Sequence, residues 1–242
     1  MRIFKRLSAD AFAAFETGSV RIGSLKYYQT IEDSNRNDSG EGPLAVHIRG
    51  RESGTREIGA DEFNRVAGAI GSIYRIKDPK LKFVLNGPGA LTMQSDINVL
   101  VFCASADRSS DEKLDAKFGA RVVEIVEPDH FAKSIAGALN QEIQPGGRID
   151  LRGGTADSIS FAHRPVEYLG KSPIPPEEAV GGFVFNPMDV FKKDLAFQNE
   201  AEYRFQWFPY CHKTQTLCSV GIGFRYIDLQ IPEIWSTLRV VT

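Results

Sequence analysis

Cysteine is scarce in this chain: Cys103, Cys211 and Cys218 are the only three in 242 residues. That is too few, and too scattered, for a disulfide framework. Long apolar runs are missing as well. The longest, Val99–Ala104, falls far short of the ~20 residues that span a bilayer. The amino terminus, Met1–Phe15, mixes polar with apolar residues and lacks the apolar stretch of a signal peptide. Neither sign of charge dominates, since 29 Lys and Arg face 31 Asp and Glu, a net of −2. No global basic field is therefore there to recruit nucleic acid. These absences predict a soluble, cytoplasmic protein with no membrane partner, and they leave nucleic acid only to a local basic patch.

What is present is ordinary for a globular chain. Hydrophobic residues make up 42% and charged residues 25%, which excludes wholesale disorder, collagen and coiled coil. A chain of this length buries about 70% or more of its unfolded surface and folds without staples. No repeat, low-complexity tract or long linker divides it, so the reading is one domain over residues 1–242.

The local signals alternate irregularly between strand and helix. Met1–Leu7 reads as a strand, Ser8 caps a helix that Gly18 stops, and Val20–Gly23 is a second strand. Ser24 caps a helical turn over Leu25–Thr30. Leu44–Ile48 alternates as a strand and Ala60–Ile70 has helical spacing. Ile97–Cys103 is the apolar, β-branched run of a buried strand, and Arg121–Val126 is another. A charged helix capped by Ser109 or Ser110 ends at Gly119, and Pro128 opens a further helix to about Leu139. Ser158–Tyr168, Glu200–Phe208, Leu217–Gly221, Phe224–Leu229 and Leu238–Val241 complete a strand-rich list. This order predicts an α+β fold with a mixed or antiparallel sheet and a few packed helices.

Three segments carry the polar residues that chemistry needs. The first is Arg21–Glu41, with Arg21, Tyr27 and Arg36 as candidate ligand-binding residues and Glu32, Asp33, Asp38 and Glu41 close together. Carboxylates at that density bind a cation or a ribose, and an arginine among them forks onto a phosphate. A solvated loop with internal ion pairs explains the same cluster. The second is the end of the buried strand, where Cys103 and Ser105 deliver small polar groups to a sheet edge. None of the four histidines is assignable as a partner to Cys103, and an inert, buried thiol is the expected state. The third is Phe197–Phe205. On a strand of period 2, Glu200, Glu202 and Arg204 share one face, with the two carboxylates about 7 Å apart. Such a pair divides labour if its pKa values separate. A solvent-facing strand with offset charges is the other reading. Cys211, His212 and Cys218 lack the paired Cys-x₂-Cys spacing of a zinc site, so no metal is expected.

Taken in order, Arg21–Gly42, Phe102–Ser105, Gly119–Phe131 and Phe191–Arg204 resemble the motifs of a bacterial group of unknown function. The resemblance covers most of the chain with loose motifs, and it implies a role in abortive infection or phage defence. Arg21 (or Arg36), Ser105 and Glu200-x-Glu202 also resemble the order of site residues in ADP-ribosyltransferases of the arginine–serine–glutamate type. That likeness implies NAD as substrate, with Glu202 as the catalytic carboxylate assisted by Glu200, arginines on the pyrophosphate and Ser105 lining the site. The departure is Cys103-Ala104-Ser105 where that family has Ser-Thr-Ser. Three functions follow as expectations: an NAD-consuming transferase or glycohydrolase; a non-catalytic sensor of a nucleotide, phage protein or host protein; and a metal-dependent nuclease on Glu32, Asp38, Glu41 and Glu202.

Overall fold

The computed structural model describes residues 1–31, 45–49, 53–69, 77–87, 90–94, 98–106, 119–152, 154–169, 190–214, 216–221 and 223–241. The fold is α+β, and the chain divides into two compact units. The larger comprises Met1–Ser39, Asn98–Tyr168 and Lys193–Thr242; the smaller comprises Gly40–Ile97 and Leu169–Lys192.

The larger unit is built on a nine-stranded antiparallel sheet. Its elements are β1 (Ile3–Leu7), α1 (Ala9–Glu16), β2 (Ser19–Ser24), α2 (Leu25–Ile31), β3 (Leu100–Ser105), β4 (Arg121–Ile125), α3 (Pro128–Glu142), β5 (Ser158–Pro165), β6 (Glu202–Cys211), β7 (Tyr226–Gln230) and β8 (Leu238–Val241). The main path runs β5-β6-β3-β1-β4-β8, and Thr216–Leu217 adds a short strand to the end of β6.

At β3 the sheet forks. One edge of β3 pairs along its length with β6, from Glu202 opposite Ser105 to Trp207 opposite Leu100. The other edge carries two strands end to end. β1 meets it at Phe4 opposite Ser105, while β2 meets it at Gly23 opposite Val101 and Ser24 opposite Leu100. β2 continues into a branch with β7, from Tyr226 opposite Gly23 to Gln230 opposite Ser19. Cys103 lies between the two junctions, and among the described residues no strand meets it on that edge.

One face of the sheet is covered by α3, whose Phe131, Ala132, Ile135, Ala136 and Leu139 recur at the three- and four-residue steps of a helix face and are buried. Pro128 sits at its first turn, as expected, where a missing N–H costs nothing. Along β6 the odd residues Tyr203, Phe205 and Trp207 enter this core, and Phe131 lies 5.0 Å from Phe205 and 5.3 Å from Phe102 between ring centroids. Trp207 Nε1 donates to the Ala132 carbonyl at 2.9 Å, so the indole is buried with its polar atom satisfied. Each such aromatic contributes about 1.5–3 kcal/mol by leaving water.

Local signals in the sequence place these elements correctly. The Ser8 hydroxyl accepts from Ala11 N–H as an N-cap, and Gly18 leaves α1 with φ +81°. Gly119 has φ +98°, and a Cβ there would overlap the backbone of Leu7 and Ser8, so only glycine lets the chain enter β4 beside the end of β1.

Other expectations are corrected. The buried strand runs over Leu100–Ser105 rather than Ile97–Cys103. The reason is Asn98, whose side chain accepts from Lys26 N–H at 3.0 Å and donates to the Gly221 carbonyl at 3.1 Å. β6 begins at Glu202, whereas Glu200 closes a 3₁₀ helix over Leu195–Glu200 and Ala201 takes φ +43°. Glu200 and Glu202 therefore do not alternate along one strand. The charged helix expected before Gly119 lies outside the described residues, as do most of the polar residues of the Arg21–Glu41 segment.

The smaller unit holds two hairpin-like ribbons, Ala45–Arg49 with Ala90–Gln94 and Thr55–Gly59 with Lys82–Asn86. A helix over Ala60–Ala69 follows Thr55–Gly59, between the two strands of the second ribbon, and its Phe63 ring stacks 5.1 Å from Phe83. Three of these four strands have no expectation in the sequence.

Candidate functional site

The Phe191–Arg204 motif folds into a buried ion cluster. Glu202 is 6% exposed and Arg204 1%. Arg204 Nε donates to Glu202 Oε1 at 2.8 Å, and Lys193 Nζ donates to Glu202 Oε2 at 3.2 Å and to Glu200 Oε2 at 2.9 Å. The Lys193 ammonium also lies 4.8 Å from the Phe197 ring centroid. The Tyr168 hydroxyl accepts from Glu202 N–H at 2.7 Å, and burial pushes that phenol up to about 12. Burial alone would raise the Glu202 carboxyl. Arg204 and Lys193 outweigh burial and hold it down at about 2, with a hydrogen bond to the Cys103 thiol helping. Lys193 is the residue that sequence reasoning missed in this motif, although it stands inside it.

Ser105 stands opposite Glu202 in register, and its hydroxyl donates to the backbone carbonyls of Glu200 (3.2 Å) and Ala201 (3.4 Å). Cys103 lies opposite Arg204. The residue is half-buried, and burial, then the Glu202 carboxylate, push its thiol well above the usual range, which disfavours the reactive thiolate. Gln206 continues the same face, is fully buried, and among the described residues neither amide atom has a hydrogen-bond partner.

A second site lies in the fork. The gap between the branches opens into a cavity of about 610 Å³ whose lining includes Lys5, Arg6, Asp10, Arg21, Tyr28 and Asp228. Lys5 Nζ donates to the Cys103 carbonyl at 2.6 Å, taking the backbone acceptor that no strand reaches. The same ammonium lies 4.7 Å from the Phe102 ring centroid. Burial lowers the Lys5 pKa, with Cys103 and Glu202 pulling the other way. The Tyr28 phenol is raised well above its ordinary value by burial; Cys103, Arg21 and Glu202 are all near enough for their charges to act on it.

Arg21 forms a bidentate pair with Asp228, Nε to Oδ1 at 2.8 Å and Nη2 to Oδ2 at 2.9 Å. Its guanidinium sits 4.1 Å above the Tyr226 ring, which in turn lies 5.7 Å from Tyr27. The Arg21–Tyr28 motif thus builds this corner. Ser24 Oγ accepts from Tyr27 N–H at 3.2 Å as the cap of α2, as expected, and donates to the Phe224 carbonyl at 2.7 Å.

The expected site residues fall into two groups. Glu200, Glu202 and Ser105 come together in the ion cluster. Arg21 lines the cleft with Tyr27 beside it, and the cluster is not part of the lining. Arg36, Glu32, Asp38 and Glu41 lie outside the described residues. Tyr28 stands inside the Arg21–Gly42 motif without being singled out by it, and Lys5 carries no motif signal at all, because only the fork turns the two toward one cavity.

Among the described residues no three His, Cys, Asp or Glu side chains gather as a metal site, and no helix is long and apolar enough to cross a membrane. No protein-family model, curated protein or solved structure matches the chain.

Proposed function

We propose that the larger unit binds a small phosphate-bearing ligand of the nucleotide class in the cleft between the two branches of its sheet. The observation that carries this is the lining itself. Lys5, Arg6 and Arg21 face Asp10 and Asp228, one more positive charge than negative, around a volume suited to a small molecule. Arg21 spends two of its five donors on Asp228, which fixes the guanidinium and leaves the others for a phosphate. Tyr27 and Tyr226, beside Arg21, offer flat faces for a base. This corresponds to the sensor expected from the sequence, with a nucleotide as what it senses.

NAD is the first ligand to try, and its cleavage is the catalytic extension of the same reading. For cleavage, Glu202 would have to give up Arg204 or Lys193 to bond a ribose hydroxyl in a nearly closed site. A buried carboxylate with both oxygens held is costly to unpair, so the geometry supports binding more strongly than turnover.

Titration calorimetry with NAD, ADP-ribose, AMP and adenosine tests the proposal. The phosphate-bearing ligands should bind, with affinity falling as salt rises. Arg21→Gln should weaken them by roughly tenfold or more, since a charge-assisted hydrogen bond contributes about 1.5–3 kcal/mol. Adenosine binding as tightly as AMP would sink it. Nicotinamide release that disappears in Glu202→Gln would instead restore the enzyme reading.

A further inference from the structure

We infer that Lys5 is a carbonyl-condensing amine, and that the ligands of the cleft include phosphorylated aldehydes and open-chain aldoses. The inference rests on the phosphate-binding reading above and names the functional group at the other end of the ligand.

Two lysines of the larger unit make the contrast that leads here. The Lys193 ammonium is bonded to two carboxylates, Glu200 and Glu202. Lys5 has a neutral partner, the Cys103 carbonyl, and among the described residues no carboxylate forms an ion pair with it. An ammonium held by one dipole and a ring face gives up its proton more readily than one locked between two anions. Burial pushes Lys5 the same way. Its amine stands in the wall of the cavity that also presents Ser8, Arg6, Arg21 and Tyr28. Desolvation is one way in which proteins prepare a lysine amine for Schiff-base chemistry, and here it works against the Glu202 carboxylate, which favours the ammonium.

The step balances without oxidant or reductant. The Lys5 ammonium first passes one proton to solvent; the Nζ lone pair then attacks the carbonyl carbon while the C–O π pair moves to oxygen, and a proton passes from nitrogen to that oxygen. Loss of water, which takes the hydroxyl and the second nitrogen proton, leaves the imine. Tyr28, kept protonated by burial, is a proton donor in the same cavity. Arg21 and Arg6 would hold the phosphate end.

The test is reductive trapping on the full chain. Ribose 5-phosphate and cyanoborohydride are added near pH 7, where exposed lysines stay protonated, and adducts are mapped by peptide mass spectrometry. Lys5 should acquire the adduct roughly tenfold or more faster than exposed lysines such as Lys80, Lys133 and Lys213. Unphosphorylated ribose should label it more slowly. Equal labelling by the two sugars would overturn the phosphate reading while leaving the amine chemistry standing. Adducts spread evenly over surface lysines would overturn the inference itself. Lys5→Arg keeps the charge and a donor to the Cys103 carbonyl, and should remove the dominant adduct; a dominant adduct persisting at another lysine counts against Lys5.

Discussion

The ring of Tyr28 lies directly on the open face of Gly23, so close that a Cβ on that glycine would overlap the ring. This contact explains a glycine in a strand where a negative φ would have allowed other residues. Gly23→Ala is expected to destabilise the larger unit by about 1–3 kcal/mol through overpacking. It should also displace Tyr28 and weaken ligand binding in the cleft. Urea unfolding and calorimetry read the two effects, and an unchanged midpoint would show that the ring is free to move aside.

The ion cluster predicts an acid-sensitive fold. Glu202 has a folded pKa of about 2 against an ordinary value of 4.5. The unfolded chain takes up the proton first, so the stabilisation is complete above about 4.5 and fades as pH falls towards 2. Glu124, held low at about 2 by Arg2 and Arg239, titrates in the same window. The measurement is therefore a difference. Glu202→Gln should show a flatter dependence of stability on pH between 2 and 4.5 than the wild type. Parallel curves would mean that the Glu202 charge does not contribute.

Gln206 is a buried amide whose two hydrogen-bonding atoms find no partner among the described residues. Gln206→Leu keeps much of the volume and removes an amide that leaves water without compensation. It should stabilise the fold by about 1–3 kcal/mol in thermal or urea unfolding. A destabilised variant would reveal that the amide has a partner in solution.

The three thiols should react in a fixed order. Cys211 is lowered by hydrogen bonds from Thr214, whereas burial raises Cys218 and, more strongly, Cys103. Thiolate is the reacting form. Timed alkylation with iodoacetamide near pH 8, followed by peptide mapping, should label Cys211 first and Cys103 last. Early modification of Cys103 would contradict its placement.

Asp228→Asn separates binding from stability. The Arg21–Asp228 pair is solvent-exposed, so its loss should change stability by only about 0–1 kcal/mol. The cleft lining gains one unit of positive charge, and phosphate-bearing ligands should bind severalfold tighter at low salt. Weaker binding would show that Asp228 matters more for aiming Arg21 than for neutralising it.

Much of the architecture is legible in the sequence because its punctuation is local. Ser8, Gly18, Ser24 and Pro128 each act on backbone groups within a turn of themselves, so the helix starts and the stop at Gly18 read correctly, while α3, with no such stop signal, runs on to Glu142. Boundaries failed where a distant partner decides. Asn98 is an apolar strand's polar neighbour until its side chain is seen capping α2 and reaching Gly221. Glu200 looked like part of a regular alternation because period 2 carries no sign of the positive φ at Ala201. The candidate site was half legible. The motif residues were singled out, but their charges cancel in space through Lys193, and the cleft exists only because two strands share one edge of β3.

That shared edge has a last consequence. The Lys5 amine serves as a peg, filling the hole in the ladder at Cys103. A guest that pulled the amine fully away would leave a backbone oxygen stranded. A protonated Schiff base retains one N–H, enough to keep the peg seated while its carbon end is occupied. The lattice of the sheet thereby selects for guests that bond to the nitrogen without evicting it.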